Sequence, residues 1–293
     1  MAQTGGRRTS FDEVYDHPDP RAFFGSLSRF GYQTPRHAQP LFRRLVAART
    51  RSGPVTVADL CCSYGVNAAL LNHHLTLDDL YTRYTSPQIL GLTTSELIKR
   101  DQDFYRAHRR EDAVPVVGLD IAAAAIDYAL AVGLLDAGFA ENLETGPASA
   151  ALLRAVGPVS LITVTGGVSF LTARTFHQVL RAADRPVWVA AFVLRTGSYQ
   201  PIADALAEHG LVTETDPEHT AVQRRFTGPG EQRYAVAAVK AAGADPTGKE
   251  STGSYHTTVH LSRPSKDLAM PYASLVSPAQ PDYATGRESP HPG

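Results

Sequence analysis

Residues 56–67 read T-V-A-D-L-C-C-S-Y-G-V-N: an apolar run contains the acid Asp59, and two cysteines, a serine, a tyrosine and one glycine follow it. A short β-branched run that ends near a glycine is typical of a buried strand that opens into a tight loop. The apolar segment V-N-A-A-L-L that comes next indicates a helix. The stretch therefore predicts a strand over 55–62, a loop, and a helix over 66–74.

Strands and helices alternate along the rest of the chain up to about residue 240. The predicted strands are 115–121, 159–164, 187–194, 211–215 and 232–239, and the predicted helices are 122–135, 172–183 and 198–209. The run 187–194 is almost wholly apolar, as expected of a central strand that is covered on both faces. This order predicts an α/β fold with a mainly parallel sheet, helices on both faces and an antiparallel finish.

Three segments flank this scaffold and one interrupts it. Residues 1–10 read as a flexible tail, and residues 11–50, which are rich in aromatic side chains, as a helical cap on the main domain, 51–240. Residues 75–112 form a long, charged, partly helical insertion after the first strand, and a connection of that length often works as a lid. From residue 241 onward Gly, Pro, Ser and Thr dominate, so 241–293 is predicted to be largely disordered.

Composition narrows the function classes. The chain has 293 residues, 43% hydrophobic and 19% charged, with a formal net charge of -1. The chain lacks the excess of basic residues that would predict a nucleic-acid partner. It also has no apolar run long enough to predict a membrane span. Two adjacent cysteines, Cys61 and Cys62, make neither a disulfide framework nor a zinc site. We therefore expect a cytoplasmic protein with no metal, while its oligomeric state stays open.

Two stretches resemble motifs of the class I S-adenosylmethionine-dependent methyltransferases. A-D-L-C-C-S-Y-G takes the place of their first motif, with Asp59 as the acid and Gly65 as the final glycine. V-V-G-L-D-I takes the place of their second motif, a strand that ends in an acid for the ribose hydroxyls, here Asp120. The resemblance covers about residues 50–240. It implies a Rossmann-like seven-stranded sheet, S-adenosylmethionine as cofactor, and methyl transfer to a small-molecule acceptor.

The resemblance also implies which residues face the cofactor and the acceptor. Asp59 would contact the methionine amino group, and backbone N–H groups of Ser63 and Gly65 would bind the methionine carboxylate. A carboxylate suits the ribose because it accepts two hydrogen bonds from a vicinal diol. The predicted cofactor-binding residues are Asp59, Cys61, Ser63, Gly65, Asp120, Ile121, Asn142, Leu143 and Thr165, and the predicted substrate-pocket residues are Tyr15, Tyr32, Tyr64 and Gly166. No spacing of a histidine and a carboxylate identifies a general base, so no catalytic residue is assigned.

Two departures from the family pattern keep other functions open. The first loop has one glycine where the family usually has two or three, and 61 positions separate Asp59 from Asp120, whereas roughly 20 is usual in a compact strand–helix–strand unit. The insertion 75–112 accounts for the second departure. The alternatives are an enzyme that uses another part of the cofactor, for example by intramolecular cyclisation to azetidine-2-carboxylate, and a catalytically silent binding protein. The absence of G-x-G-x-x-G after the first strand argues against a nicotinamide dehydrogenase.

Overall fold

Seven strands form a single sheet in this protein, whose structure is a computed structural model that describes residue 9 and residues 11–276. The strands are β1 (Val57–Leu60), β2 (Val116–Asp120), β3 (Ala137–Ala140), β4 (Leu161–Thr165), β5 (Trp188–Leu194), β6 (Leu211–Arg225) and β7 (Ser254–Pro264). Apart from residue 9, the predicted flexible tail 1–10 lies outside the described residues.

The strand order is β3-β2-β1-β4-β5-β7-β6. Strands β1 to β5 pair in parallel, and β7 lies antiparallel to both β5 and β6. The predicted Rossmann-like, mainly parallel seven-stranded sheet is confirmed. The order reverses between β1 and β4, and in open α/β sheets ligands bind beyond the carboxyl ends of the strands at such a reversal.

Helices cover both faces of the sheet. In the described part of the chain they are α1 (Arg21–Ser28), α2 (Thr34–Thr50), α3 (Val66–Asn72), α4 (Leu77–Thr85), α5 (Pro87–Leu90), α6 (Thr94–His108), α7 (Ala123–Ala131), α8 (Ala150–Val156), α9 (Ala173–Ala182), α10 (Gln200–Glu208), α11 (Pro229–Ala241) and α12 (Tyr272–Val276). Alternate residues of β1 face opposite ways: Val57 joins a core with α1 to α7, and Ala58 and Leu60 join a core with α8 to α10. Both faces of the strand are therefore buried, as its apolar sequence requires.

The N-terminal cap and the 75–112 insertion are both helical, and they pack on the same face of the sheet. The cap contains α1 and α2, and the insertion contains α4, α5 and α6. Asp101 on α6 is fully buried and accepts hydrogen bonds from Arg83 Nε at 2.7 Å, from Tyr84 at 3.0 Å, and from Tyr128 on α7. A buried carboxylate that is fully paired in this way fixes the insertion against α7. Its action as a lid stays a prediction.

The predicted strand 232–239 is wrong, because these residues form most of α11. The buried positions on this helix are Glu231, Ala235 and Val239, which are four residues apart and so lie on one helical face. The Val- and Tyr-containing run alternates only weakly, and the spacing of four is the stronger pattern. The Pro229 at the first helical position is a typical helix start.

The predicted disorder from residue 241 is wrong for residues 241–276, and residues 277–293 lie outside the described part. Strand β7 is inserted between β5 and β6 and completes the sheet. The strand was not predicted because it carries many polar side chains. These side chains form hydrogen bonds within the protein: Arg263, for example, is fully buried and donates from its Nε to Glu214 of β6 at 3.0 Å. Strand β6 also runs to Arg225, well beyond the predicted end at 215.

Candidate functional site

Two aspartates on adjacent strands lie at the carboxyl edge of the sheet, on either side of the loop that follows β1. Asp59 lies in β1 and Asp120 ends β2, and the two strands pair in parallel register. Asp120 Oδ2 accepts a hydrogen bond from the Ser63 backbone N–H at 2.8 Å. Asp59 accepts two from Asn67 Nδ2, at 2.9 and 3.2 Å. Their roles in binding a cofactor stay predictions.

The loop after β1 has backbone angles that glycine adopts more easily than the residues that are present. Cys61 has φ 56°, Ser63 has φ 48° and Gly65 has φ 72°, all in the left-handed region. A residue with a Cβ in that region carries a penalty of about 1–2 kcal/mol. Two of the three left-handed positions carry side chains, so the backbone shape persists without the glycines that usually permit it. Strain of this kind is retained where the surrounding structure determines it.

Gly167, after β4, makes room for Cys61. A Cβ at position 167 would lie 2.3 Å from Cys61 Cβ and 2.5 Å from its Sγ. The Cys61 Sγ lies 3.8 Å from the carbonyl oxygen of Gly167. The thiol therefore lies between the ends of β1 and β4. A glycine at position 61 would leave this space open. Burial raises the pKa of the Cys61 thiol, and the nearby Asp120 and Asp59 raise it further, so the thiol is neutral rather than nucleophilic.

Asp59 is buried among polar side chains of β4 and α3. It is 1% exposed, and Thr163 Oγ1 donates to it at 2.7 Å in addition to Asn67. Burial raises the pKa of Asp59 from 3.8 to about 7; hydrogen bonds from Thr163 and Asn67 oppose the shift, and the charge of Asp120 adds to it. Because the folded pKa lies above the unfolded one, the stability contribution of this group is complete below about pH 4 and is lost as the pH rises through about 7.

The groups expected to bind the methionine carboxylate are partly used within the loop. The Ser63 N–H donates to Asp120, and the Gly65 N–H donates to the carbonyl of Cys62 at 2.9 Å. The Ser63 hydroxyl, in contrast, is buried and has no hydrogen-bond partner within residues 11–276. A buried polar atom without a hydrogen-bond partner is costly. This hydroxyl is therefore the group in the loop that would gain most from a hydrogen bond to a ligand.

The side of the edge beyond β2 and β3 offers one accessible apolar residue. Asp120 accepts hydrogen bonds on both oxygens, the second from the Ala122 N–H at 3.0 Å, and a carboxylate retains further lone pairs for other donors. Next to it, Ile121 is 70% exposed. Asn142 is exposed and its side chain accepts from the Glu144 N–H at 3.0 Å. Leu143, predicted to bind the cofactor, is buried in the core with α8 and α9.

The predicted substrate-pocket residues separate into two places. Tyr32 and Gly166 come together: the Tyr32 hydroxyl lies 3.0 Å from the place that a Cβ at Gly166 would take. Thr165, just before Gly166, accepts a hydrogen bond from Asn67 Nδ2 at 2.8 Å, which joins this region to the Asp59 network. Tyr15 packs against Phe23 in the cap, with ring centroids 5.3 Å apart.

Tyr64 is buried and holds the N-terminal segment instead of facing a pocket. Its hydroxyl donates to the His17 carbonyl at 2.9 Å and accepts from the His17 N–H at 3.0 Å. One residue earlier, Asp16 Oδ1 accepts from the Ala124 N–H at 2.9 Å, in the first turn of α7. Residues 14–17 thus bridge the loop after β1 and the start of α7, next to Asp120. The sequence offered no signal for Asp16 beyond its place in D-H-P-D-P.

Neither a metal cluster nor a membrane-spanning helix is found among the residues that the structure describes. Among them, no three His, Cys, Asp or Glu side chains are grouped so as to hold a metal ion. Within the same range, no helix has the length and apolar character needed to cross a bilayer.

No family model matches the sequence, and no curated protein matches it. Similar solved structures include the N-methyltransferase NodS from Bradyrhizobium japonicum WM9 with S-adenosyl-L-homocysteine (TM-score 0.43, 11% identity, 87% of this chain and 96% of that chain). Another is magnesium protoporphyrin IX methyltransferase ChlM from Synechocystis PCC 6803 with bound SAM (0.41, 12%, 83% and 84%). The plantazolicin methyltransferase BpumL is a third (0.40, 11%, 84% and 92%).

By its strand order, the chain has a Rossmann-like α/β fold. At these identities the likeness concerns the fold alone. The chemistry of the site is argued below from the residues of this chain.

The contact between Cys61 and Gly167 predicts a non-additive pair of substitutions. Gly167→Ala should destabilise the protein by about 1–3 kcal/mol, because its new methyl group overlaps Cys61. In a Cys61→Gly background the same change should cost less, since the overlapping side chain is gone. Urea unfolding of the single and double variants measures this coupling.

Gly197→Ala is the matched control, because a Cβ there meets no atom within 4 Å. It should have the same small effect in both backgrounds. An equal loss of stability from Gly167→Ala with and without Cys61 would contradict the contact.

Proposed function

We propose that this chain binds S-adenosylmethionine at the carboxyl edge of β1 and β2 and transfers its methyl group to a small-molecule acceptor. The observation that carries the proposal is the placement of Asp59 and Asp120 on adjacent parallel strands at the reversal of strand order, with Asp120 bonded to the left-handed loop and Asp59 bonded to the helix that follows it. This placement puts two carboxyl groups within reach of opposite ends of one elongated cationic ligand.

The residues present fit the nucleoside half of the cofactor well. Asp120 would accept hydrogen bonds from the ribose hydroxyls, and the exposed Ile121 would pack against the adenine. For the amino-acid half, Asp59 would receive the ammonium group and the unpartnered Ser63 hydroxyl would donate to the carboxylate. The fit in this half is altered by Cys61, whose Cβ and Sγ narrow the space that a glycine would leave.

When bound, the cofactor supplies an activated methyl group on a sulfonium, which is a good leaving group. The protein's contribution is placement of the acceptor in line with that methyl group and exclusion of water. The cap segment 14–17, held by Tyr64 and Asp16, covers the loop side of the edge and serves the second purpose. Cys61 takes no covalent part, because its thiol is held neutral.

The role of Asp120 is tested by ligand binding. Asp120→Asn should weaken the binding of S-adenosylhomocysteine by about 1–3 kcal/mol, because a charged hydrogen-bond acceptor is lost. Isothermal titration calorimetry measures the affinity. Asp127→Ala, on the exposed side of α7, is the control and should bind as the wild type does.

Because Asp120 also holds the Ser63 N–H, loop disruption must be separated from loss of the ribose contact. The 2′-deoxy analogue of S-adenosylhomocysteine does this. The wild type should bind the analogue more weakly than the parent ligand, and Asp120→Asn should discriminate less between the two. Equal discrimination by both proteins would contradict the ribose contact. No binding of S-adenosylhomocysteine by the wild type at millimolar concentration would favour a catalytically silent protein.

A second candidate function is intramolecular cyclisation of the cofactor's amino-acid chain. Two observations favour it: Cys61 reshapes the part of the site that would hold this chain, and Asp59, with a pKa of about 7, can accept a proton near neutral pH. Such a reaction joins the amino nitrogen to the γ-carbon and breaks the carbon–sulfur bond. It releases azetidine-2-carboxylate, methylthioadenosine and one proton.

The products distinguish the two candidates. Incubation of the purified protein with S-adenosylmethionine alone should give no methylthioadenosine above the enzyme-free rate if methyl transfer is its reaction, because the acceptor is missing. Liquid chromatography with mass spectrometry detects the nucleoside products. Methylthioadenosine formed together with azetidine-2-carboxylate would overturn methyl transfer in favour of cyclisation.

A further inference from the structure

We propose that a polar cluster between α2, β6 and the end of β4 recognises the acceptor, and that the acceptor is a small, uncharged molecule with a hydroxyl or amide N–H donor. The cluster consists of Thr34 and His37 on α2, Gln223 on β6, and Tyr32 and Gly166. This inference rests on the proposed function, since it names the substrate class of the same site.

Three of these side chains each have a buried polar atom without a partner, although His37 as a whole is only partly buried. Thr34 Oγ1, His37 Nε2 and Gln223 Oε1 have no hydrogen-bond partner in the part of the chain that the structure describes. Thr34 is 0% exposed and Gln223 is 2% exposed. Leaving a buried polar atom unpaired is costly, and three in one region indicate a place where a ligand supplies the missing partners.

The three residues lie close together through contacts of the backbone. The Gln33 N–H donates to the carbonyl of Gln223 at 2.8 Å, which fixes the start of α2 on β6. Thr34 follows at the first helical position, and His37 lies one turn further along. Positions 34 and 37 share a face of the helix. In this proposal their side chains and that of Gln223 line one small volume beside the sheet, which the ligand occupies.

This volume adjoins the proposed cofactor edge. A Cβ at Gly166 would lie 3.0 Å from the Tyr32 hydroxyl and 3.8 Å from Gln223 Nε2. Gly166 follows Thr165, whose hydroxyl is joined through Asn67 to Asp59. An acceptor held by Gln223 therefore lies beside the end of β4, next to the amino-acid half of the proposed cofactor. Gly166 has φ 77°, so a residue with a side chain would be both strained and in the way.

The charges around the cluster favour an uncharged ligand. Burial lowers the pKa of His37, and the neighbouring Arg36 lowers it further, so the imidazole is neutral at pH 7. Arg36 itself is paired with Asp78, and Arg224 is paired with Glu231 at 2.7 Å. An ion placed here would lose its hydration, and neither Arg36 nor Arg224 would be free to act as its countercharge, which is unfavourable. A hydroxyl or amide N–H that donates to Gln223 Oε1 meets no such penalty.

Four probes of one ring size test the inference: benzyl alcohol and benzamide, which are neutral donors, and benzoate and benzylammonium, which are ions. Saturation-transfer NMR at pH 7 would measure their affinities with and without S-adenosylhomocysteine. We expect the neutral probes to bind more tightly than the ions. Gln223→Met should weaken the binding of the neutral probes about fivefold, because it removes the hydrogen-bond acceptor Oε1 while keeping the side-chain length. Gln200→Met, exposed on α10, is the matched control and should leave all affinities unchanged.

A thermal melt supplies a second readout. Gln223→Met should raise the melting temperature of the free protein, because it removes an unsatisfied buried acceptor. Equal binding of neutral and charged probes, no binding of any probe, or wild-type affinity for the neutral probes in Gln223→Met would overturn the inference. Binding of the probes by a protein that fails to bind S-adenosylhomocysteine would refute the proposed cofactor and leave the polar cluster standing as a binding site.

Discussion

The loop after β1 depends on two carboxylates that hold it from different strands. Asp120 fixes its middle through the Ser63 N–H, and Asp59 fixes the helix that follows through Asn67. These bonds retain a left-handed backbone at Cys61 and Ser63, which would otherwise relax, since both carry a Cβ. The shape of the candidate site is thus imposed by the sheet, through parallel strands that end side by side, rather than by glycines in the loop.

Several features of the site follow from that constraint. Because the Ser63 N–H is used by Asp120, the buried hydroxyl of Ser63 is left as the loop's polar contact for a ligand. Because Cys61 must fit, residue 167 has no side chain. Asp59 is buried among polar side chains, which raises its pKa to about 7, so a cationic ligand would change its charge state. The nucleoside side is more open, with Ile121 exposed.

The sequence predicted the parts of the fold whose signals are local. The strand–loop–helix at 55–74 and the apolar central strand were recognisable because burial on both faces leaves a continuous apolar run. Strand β7 was missed because several of its polar side chains are paired by partners distant in sequence, such as Arg263 by Glu214. The short β3 was not among the predicted strands, and only the count of seven strands came from the family resemblance. Tertiary contacts decided both cases, and a single sequence does not reveal them.

Within the site, the meeting of Asp59 and Asp120 was predictable, since acids at the ends of adjacent parallel strands share an edge. The fit of Cys61 against Gly167 was not predictable, and neither were the unpaired oxygens of Gln223 and Ser63, because they depend on side-chain positions in three dimensions.

Carbon-detected NMR of the Asp59 carboxyl group, with and without S-adenosylhomocysteine, tests the central claim most directly. The account predicts titration at about pH 7 in the free protein, and a lower pKa in the complex as the ligand's ammonium stabilises the carboxylate. An Asp59 titration that is unchanged by saturating ligand would contradict it.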